Sequence, residues 1–103
     1  MLEKFTITTF AERVGETFRI CPEEIPPLST QLVTVTDLSP RMGRSLDAGD
    51  RRAPFSIVFR GPMTPILPQR IYRMEHEEIG AFDLFIVPIG PDSEGMRYEA
   101  VFT

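Results

Sequence analysis

The chain has 103 residues, a mass of 11.7 kDa and a formal net charge of −4. Hydrophobic residues make up 42% and charged residues 25%, values typical of a globular domain that exclude a wholly disordered chain. The length predicts one domain, residues 1–103, whose core needs no disulfide bonds. Because an acidic chain lacks the positive field that phosphate groups require, we expect no nucleic acid partner.

The cysteine content and the first residues predict a soluble protein that stays in the cytoplasm. Cys21 cannot form an internal disulfide, and it lies in the apolar run FRICP, which is typical of a small buried side chain. The opening MLEKFTITTF lacks the long apolar stretch of a secretory signal. No run approaches the roughly 20 apolar residues of a membrane-spanning helix, so we expect no membrane partner.

The first element is predicted to be one short helix. Thr9 followed by Glu12 fits a capping box, and Gly15 fits the end of a helix. We therefore expect one or two helical turns at about residues 9–14. A helix this short must dock on the rest of the fold to be stable.

Three strands are predicted next from β-branched residues and alternation. They cover residues 16–21, 29–38 and 55–60, separated by the proline-rich PEEIPP and by a long polar segment. Period-two alternation places one face inward, comprising Phe18, Ile20, Phe55, Ile57 and Phe59. Gly61-Pro62 ends the third strand, and MTPILPQR is predicted to be an extended connector.

The segment between the second and third strands, residues 39–54, is predicted to be a mobile surface loop. Four arginines against two aspartates give it a local charge of about +2, while the rest of the chain is acidic. The arginines are Arg41, Arg44, Arg51 and Arg52. Beside the simple surface loop, we consider a contact arm for an acidic partner.

The stretch RIYRMEHEEIGAFDLFIVP predicts a β-hairpin that contains the only histidine. Gly80 suits a left-handed backbone, so residues 78–80 fit a three-residue loop closed by a glycine bulge. This register matches apolar side chains across the two strands. The predicted pairs are Glu77–Ala81, His76–Phe82, Glu75–Asp83, Met74–Leu84, Arg73–Phe85 and Tyr72–Ile86.

A final strand completes an antiparallel meander of three strands. PDSEG supplies the turn, and Pro88 marks an edge or a bulge. Along the last strand the inward residues are Met96, Tyr98, Ala100 and Phe102. The chain is therefore predicted to be all-β, a small antiparallel barrel or sandwich of about six strands with one short N-terminal helix.

The EHEE stretch does not predict a metal or catalytic site. If His76 faces inward, Glu75 and Glu77 point outward and cannot share a metal ion with it. General acid–base catalysis by His76 would need a pocket and a second group, and the sequence shows neither. The chain has no GxGxxG, GxSxG or Walker motif. We therefore predict a protein that is not an enzyme and needs no cofactor or metal.

Residues 55–102 contain the segments FSIVFRGP, LPQRIYRMEHEEIGAFDLFIVPIGP and GMRYEAVF. These segments resemble a family of small bacterial proteins of about this length that is catalogued only as a domain of unknown function. The resemblance implies a link to tail-like or fibre-like structures, because members are often encoded beside phage-tail-collar-like proteins. It brings no catalytic or binding residues with it.

These observations together predict an interaction or structural accessory module of a phage-tail-like or fibre-type assembly. The expected binding elements are an exposed strand edge, the arginine-rich loop or the proline-rich connector. We also expect self-association as a dimer or trimer. The predicted contact residues are Arg60, Gln69, Tyr72, His76, Tyr98 and the four loop arginines.

Two alternatives remain open. One is a small-ligand-binding barrel in which Tyr72 and Tyr98 line the mouth. The other is a small enzyme that uses His76.

Overall fold

The computed structural model describes residues 5–38 and 54–102, which form a barrel of six antiparallel strands with one short helix. In chain order the elements are α1 (Ile7–Ala11), β1 (Thr17–Cys21), β2 (Leu28–Asp37), β3 (Phe55–Gly61), β4 (Arg70–His76), β5 (Gly80–Pro91) and β6 (Met96–Phe102). The strands neighbour one another in the order β1-β2-β3-β6-β5-β4, and β4 pairs again with β1 to close the barrel. The fold is therefore a barrel and not a sandwich.

Alternation along the strands fills the interior as the sequence predicts. The inward residues of β1, β3 and β6 are buried, and so are the inward residues of the central hairpin. They include Phe18, Ile20, Phe55, Ile57, Phe59, Tyr72, Met74, Phe82, Leu84, Ile86, Met96, Tyr98, Ala100 and Phe102. Burial of an aromatic or large aliphatic side chain contributes about 1.5–3 kcal/mol, so this core is the main source of stability.

Each end of the barrel is covered by a different segment. At what we call the helical end lie α1 and the β4–β5 turn, residues 77–79. At the opposite, proline-rich end lie the β1–β2 loop, residues 22–27, and the β3–β4 connector, residues 62–69. Phe10 enters the core from the helical end and Leu67 enters it from the connector.

The helix begins earlier than the sequence prediction of residues 9–14. Thr6 is its N-cap residue, and Thr9 stands at the third helical position, where its hydroxyl oxygen accepts the Thr6 N–H at 3.1 Å. A capping box is thus present, but Thr9 is its second member and not its first. Gly15 does adopt a positive φ of 97°, and its N–H donates to the Leu32 carbonyl at 2.8 Å.

The predicted register of the β4–β5 hairpin is wrong by two residues. The loop comprises residues 77–79, so the last strand pair is His76 with Gly80, and Arg73 lies opposite Asp83. The inward faces are unchanged, because a shift of two residues keeps every side chain on its side. The observed register replaces the like-charged Glu75–Asp83 pair with an oppositely charged one. Gly80 has a φ of 93°, which confirms the left-handed glycine.

Two other expectations have different outcomes. Pro88 does lie at a bulge, because the β5–β6 register shifts between Pro88 and Gly90. The exposed strand edge that we expected as a binding element is absent among the described strands, since β1 and β4 pair with each other. The arginine-rich loop with Arg41, Arg44, Arg51 and Arg52 lies outside the described residues, apart from Pro54 at its end.

Candidate functional site

The described contact residues that the sequence predicts do not form one site. His76 lies at the helical end, while Arg60 and Gln69 lie at the proline-rich end. Tyr72 and Tyr98 are buried and reach from the barrel wall to the connector. The barrel therefore separates one buried imidazole from a group of residues that surrounds the connector.

Two tyrosine hydroxyl groups hold the connector in place. The backbone N–H of Leu67 donates to the Tyr98 hydroxyl oxygen at 3.0 Å, and the Tyr72 hydroxyl group donates to the Pro68 carbonyl at 2.5 Å. Between these bonds the Leu67 side chain is buried in the core. Since two strands fix two successive connector residues, the connector has a defined position on the barrel. The two tyrosines thus position a loop, whereas the ligand-binding alternative needs their hydroxyl groups free at a mouth.

The fixed connector presents apolar side chains to solvent. Met63 is 47% exposed and Ile66 is 57% exposed, and Pro62, Pro65 and Pro68 beside them are also exposed. Leu67 points into the barrel, so its neighbours are turned outward. An ordered and exposed apolar segment is a typical protein contact surface, because little conformational entropy is lost when it binds.

Arg60 is held by a carboxylate at the same end. Its Nε and Nη2 donate to Asp92 Oδ2 at 2.9 and 2.6 Å, while Asp92 Oδ1 accepts the N–H groups of Glu94 and Gly95 at 2.8 and 3.0 Å. The hydrogen bond from Arg60, helped by the turn N–H groups, lowers the pKa of Asp92 to about 2. Arg60 thus serves to fasten the β5–β6 turn.

Gly95 in that turn has a steric role. A Cβ atom there would lie 2.2 Å from the Gly61 carbonyl oxygen, so no larger residue fits unless the backbone moves. The turn is therefore packed tightly against the end of β3.

His76 is held on both sides of its ring. Its Nδ1 accepts the N–H groups of Glu78 and Ile79 at 3.0 and 3.2 Å, and its Nε2 lies 2.7 Å from Glu16 Oε1. Because Nδ1 accepts hydrogen bonds, the ring proton is on Nε2, and the Nε2–H group donates a hydrogen bond to the Glu16 carboxylate. The ring also packs on Phe18, with centroids 4.4 Å apart. These contacts explain why the β4–β5 turn occupies residues 77–79.

A cavity of about 350 Å³ adjoins this imidazole and is lined by Glu16, Thr17, Glu77 and Glu78. The His76 side chain is only 3% exposed and both ring nitrogens are engaged within the protein. Within residues 5–38 and 54–102, no group of three or more His, Cys, Asp and Glu side chains is arranged to hold a metal ion. The hydrogen bonds to both ring nitrogens give His76 a structural role in the turn.

A larger groove of about 550 Å³ runs along the outside of β4 and the β1–β2 loop. Arg70 in its wall donates to Glu24 at 2.7 Å and lies 5.1 Å from the centre of the Tyr72 ring. Cys21 also lines the groove, and its burial raises the pKa of its thiol above the ordinary value. A raised pKa lowers the fraction of the thiol that is present as the reactive thiolate at neutral pH.

Sequence reasoning missed several of these residues. Glu16 and Asp92 were not predicted to hold His76 and Arg60, because the hydrogen bond to His76 and the ion pair with Arg60 both join segments that are distant in sequence. The apolar surface at Met63 and Ile66 could have been predicted from the sequence, since apolar residues between prolines in a connector are unusual on a surface.

The fold and these contacts define a small closed β-barrel with a fixed, apolar, proline-rich connector. Residues 5–102 match the family model described as a domain of unknown function, DUF6916, and the chain belongs to this family. No curated protein and no solved structure matches the chain. The described residues include no helix that is long and apolar enough to cross a membrane.

Proposed function

We propose that this domain is an interaction module without catalytic activity, which binds a protein partner through the proline-rich end of the barrel. The observation that carries the proposal is the connector, on which Met63 and Ile66 are exposed while two tyrosine hydroxyl groups fix its backbone. Such a segment offers a partner an apolar contact whose shape is already set.

The partner that we propose is a tail-collar-like or fibre-like protein. This part of the proposal is supported by the association that the family resemblance implies. The exposed side chains of Met63 and Ile66 would supply the apolar contact to such a partner. The four loop arginines outside the described residues would add contacts to an acidic surface.

The proposal is tested by purifying the tagged protein from its native host under mild conditions, with mass spectrometry to identify what accompanies it. We expect a collar-like or fibre-like protein in a fixed ratio. The variant Ile66→Asp is expected to lose it, because a charge replaces a central apolar contact. Once the partner is purified, we expect an affinity about 30-fold weaker, as at an interface hot spot.

The matched control is Val14→Asp, which changes a side chain of similar exposure at the helical end. It should retain the partner. Recovery of the wild-type domain alone would contradict the proposal. If Ile66→Asp retains the partner and Val14→Asp loses it, the binding surface lies at the helical end, which also contradicts the proposal.

A further inference from the structure

The β4–β5 turn, residues 77–79, is held in place by one nitrogen atom of the His76 ring. The N–H groups of Glu78 and Ile79 both donate to Nδ1, at 3.0 and 3.2 Å. The ring is buried and packs on Phe18. A histidine nitrogen can accept a hydrogen bond only while it carries no proton. The closed turn therefore requires the neutral form of the imidazole.

Protonation of the ring would reverse the polarity of this contact. An imidazolium has an N–H group at both nitrogens, so the proton on Nδ1 would point at two N–H donors that have lost their acceptor. The turn must open for the ring to hold the second proton. Because the open turn binds a proton that the closed turn excludes, acid favours the open turn and neutral pH favours the closed one. Imidazole ordinarily titrates at about pH 6.5, well above the range of carboxyl groups.

The charges around the imidazole are mostly negative. Glu16 Oε1 lies 2.7 Å from Nε2, and Glu77 and Glu78 line the cavity beside the ring. Arg13 is the cation on this side, and its guanidinium group is bonded to Glu78 at 3.3 Å. From β1 the ring is covered by Phe18, which is uncharged. The carboxylates thus stabilise a positive ring once the turn has opened, and Glu16 is the one in direct contact.

We propose that His76 is a pH-sensitive latch, which holds the β4–β5 turn closed while the ring is neutral and releases it when the ring is protonated. Histidine protonation acts as a switch where it biases an element with two arrangements, and here that element is the turn. The proposal does not depend on the proposed function, which concerns the opposite end of the barrel.

Release of the turn would change the helical end of the barrel. Ile79 packs against the core, and Glu78 links the turn to Arg13, which follows α1. Both contacts depend on the position of the turn. The connector at the proline-rich end is fixed by the hydroxyl groups of Tyr72 and Tyr98, in bonds that do not involve the imidazole. Mild acid should therefore loosen one end of the barrel and leave the other in place.

NMR spectroscopy on the untagged, ¹⁵N-labelled chain tests the proposal, since His76 is the only histidine in the sequence. The ring C–H signals report protonation, and the amide signals of Glu78 and Ile79 report the turn. Between about pH 7.5 and 5 both should change with one midpoint, and exchange protection of the two amides, corrected for the intrinsic rate at each pH, should fall at least about tenfold. The amides of β6 should keep their protection. Turn amides that stay unchanged while the ring titrates would overturn the proposal, and so would a ring that stays neutral until the barrel unfolds.

Two variants separate the ring from the carboxylates around it. His76→Asn places an amide oxygen near the position of Nδ1, which can accept the turn N–H groups but cannot take up a proton. The transition at Glu78 and Ile79 should therefore vanish, and its persistence would assign it to Glu77 and Glu78 and overturn the proposal. Glu16→Gln keeps the ring and an acceptor for Nε2 but removes the charge that favours the protonated ring, so the midpoint should move to lower pH. This variant tests the latch even if His76→Asn does not fold, and a midpoint that stays or rises would contradict the part given to Glu16.

Discussion

The two ends of the barrel are closed by different kinds of interaction. At the helical end the Phe10 ring is fully buried among other aromatic rings, with centroids 5.3 Å from Phe102 and 6.0 Å from Phe55. At the proline-rich end, closure rests on the Leu67 side chain and on two hydrogen bonds between tyrosine hydroxyl groups and the connector backbone, one accepted by Tyr98 and one donated by Tyr72. Apolar burial contributes more free energy than a hydrogen bond, whereas a hydrogen bond fixes direction. The helical end therefore stabilises the fold, and the proline-rich end positions a surface.

The largest loss of stability is expected from Phe10→Ala. Removal of this ring leaves a cavity between α1 and the barrel, so the free energy of unfolding should fall by about 3–5 kcal/mol. Urea denaturation followed by circular dichroism measures the change. Phe10→Leu keeps most of the volume and should cost less than about 1.5 kcal/mol, which covers the case in which the alanine variant does not fold.

The matched control for Phe10→Ala is Val14→Ala, an exposed position in the same region, where we expect a change within about 0.5 kcal/mol. A loss below about 1 kcal/mol for Phe10→Ala would show that the helix does not close this end of the core.

The next largest loss of unfolding free energy is expected from His76→Phe, also at the helical end. The ring would still pack on Phe18, but the N–H groups of Glu78 and Ile79 would lose their acceptor. Leaving such donors unpaired costs about 1–3 kcal/mol, which urea denaturation would detect. Glu16→Gln should have a small effect, since the amide oxygen still accepts from Nε2. Equal losses for both variants would contradict the role given to the turn N–H groups.

This imidazole also shows where sequence reasoning fails. The alternation of apolar residues was enough to assign the strands and the inward faces, including Tyr72, Met74 and His76. It could not set the β4–β5 register, because a shift of two residues preserves the faces. The observed register is supported by the Arg73–Asp83 pair and by the acceptor at Nδ1, whose two donors are visible only once the turn is built. Barrel closure by β1 and β4 was likewise hidden, since it joins strands that are about 50 residues apart.

The candidate surfaces were predictable only in part. Alternation places Phe85 and Val101 on the outer face of the barrel, where a group of apolar residues indicates a contact surface. It does not show that these two side chains meet Ile71, because that depends on the register of two ladders. The sequence analysis singled out Tyr72 and Tyr98 as contact residues. It did not find the partners of their hydroxyl groups, because these lie in the connector, whose backbone path cannot be read from alternation.

At the proline-rich end, Tyr98→Phe is expected to have a smaller and more local effect. The ring stays buried, and only the hydrogen bond to the Leu67 N–H is lost, which costs about 1 kcal/mol. Amide hydrogen exchange should accelerate at Leu67 while the amides of β6 stay protected. This result would confirm that the hydroxyl group orders the connector and not the core. Uniform acceleration through the barrel would instead make Tyr98 a general stabilising residue.

The smallest effect is expected from the ion pair of Arg60 with Asp92 at the same end. The hydrogen bond from Arg60 lowers the pKa of Asp92 from 3.8 to about 2. The unfolded chain therefore takes up this proton first as the pH falls, so the stabilisation is complete above pH 3.8 and is lost as the pH falls from 3.8 toward 2. Asp92→Asn keeps an oxygen acceptor for the turn but cannot ionise. The difference in unfolding free energy between wild type and variant should be constant near neutral pH and shrink over that acidic window, as denaturation at a series of pH values would show. A difference that does not change with pH would mean that Arg60 fastens the turn without help from the charge of Asp92.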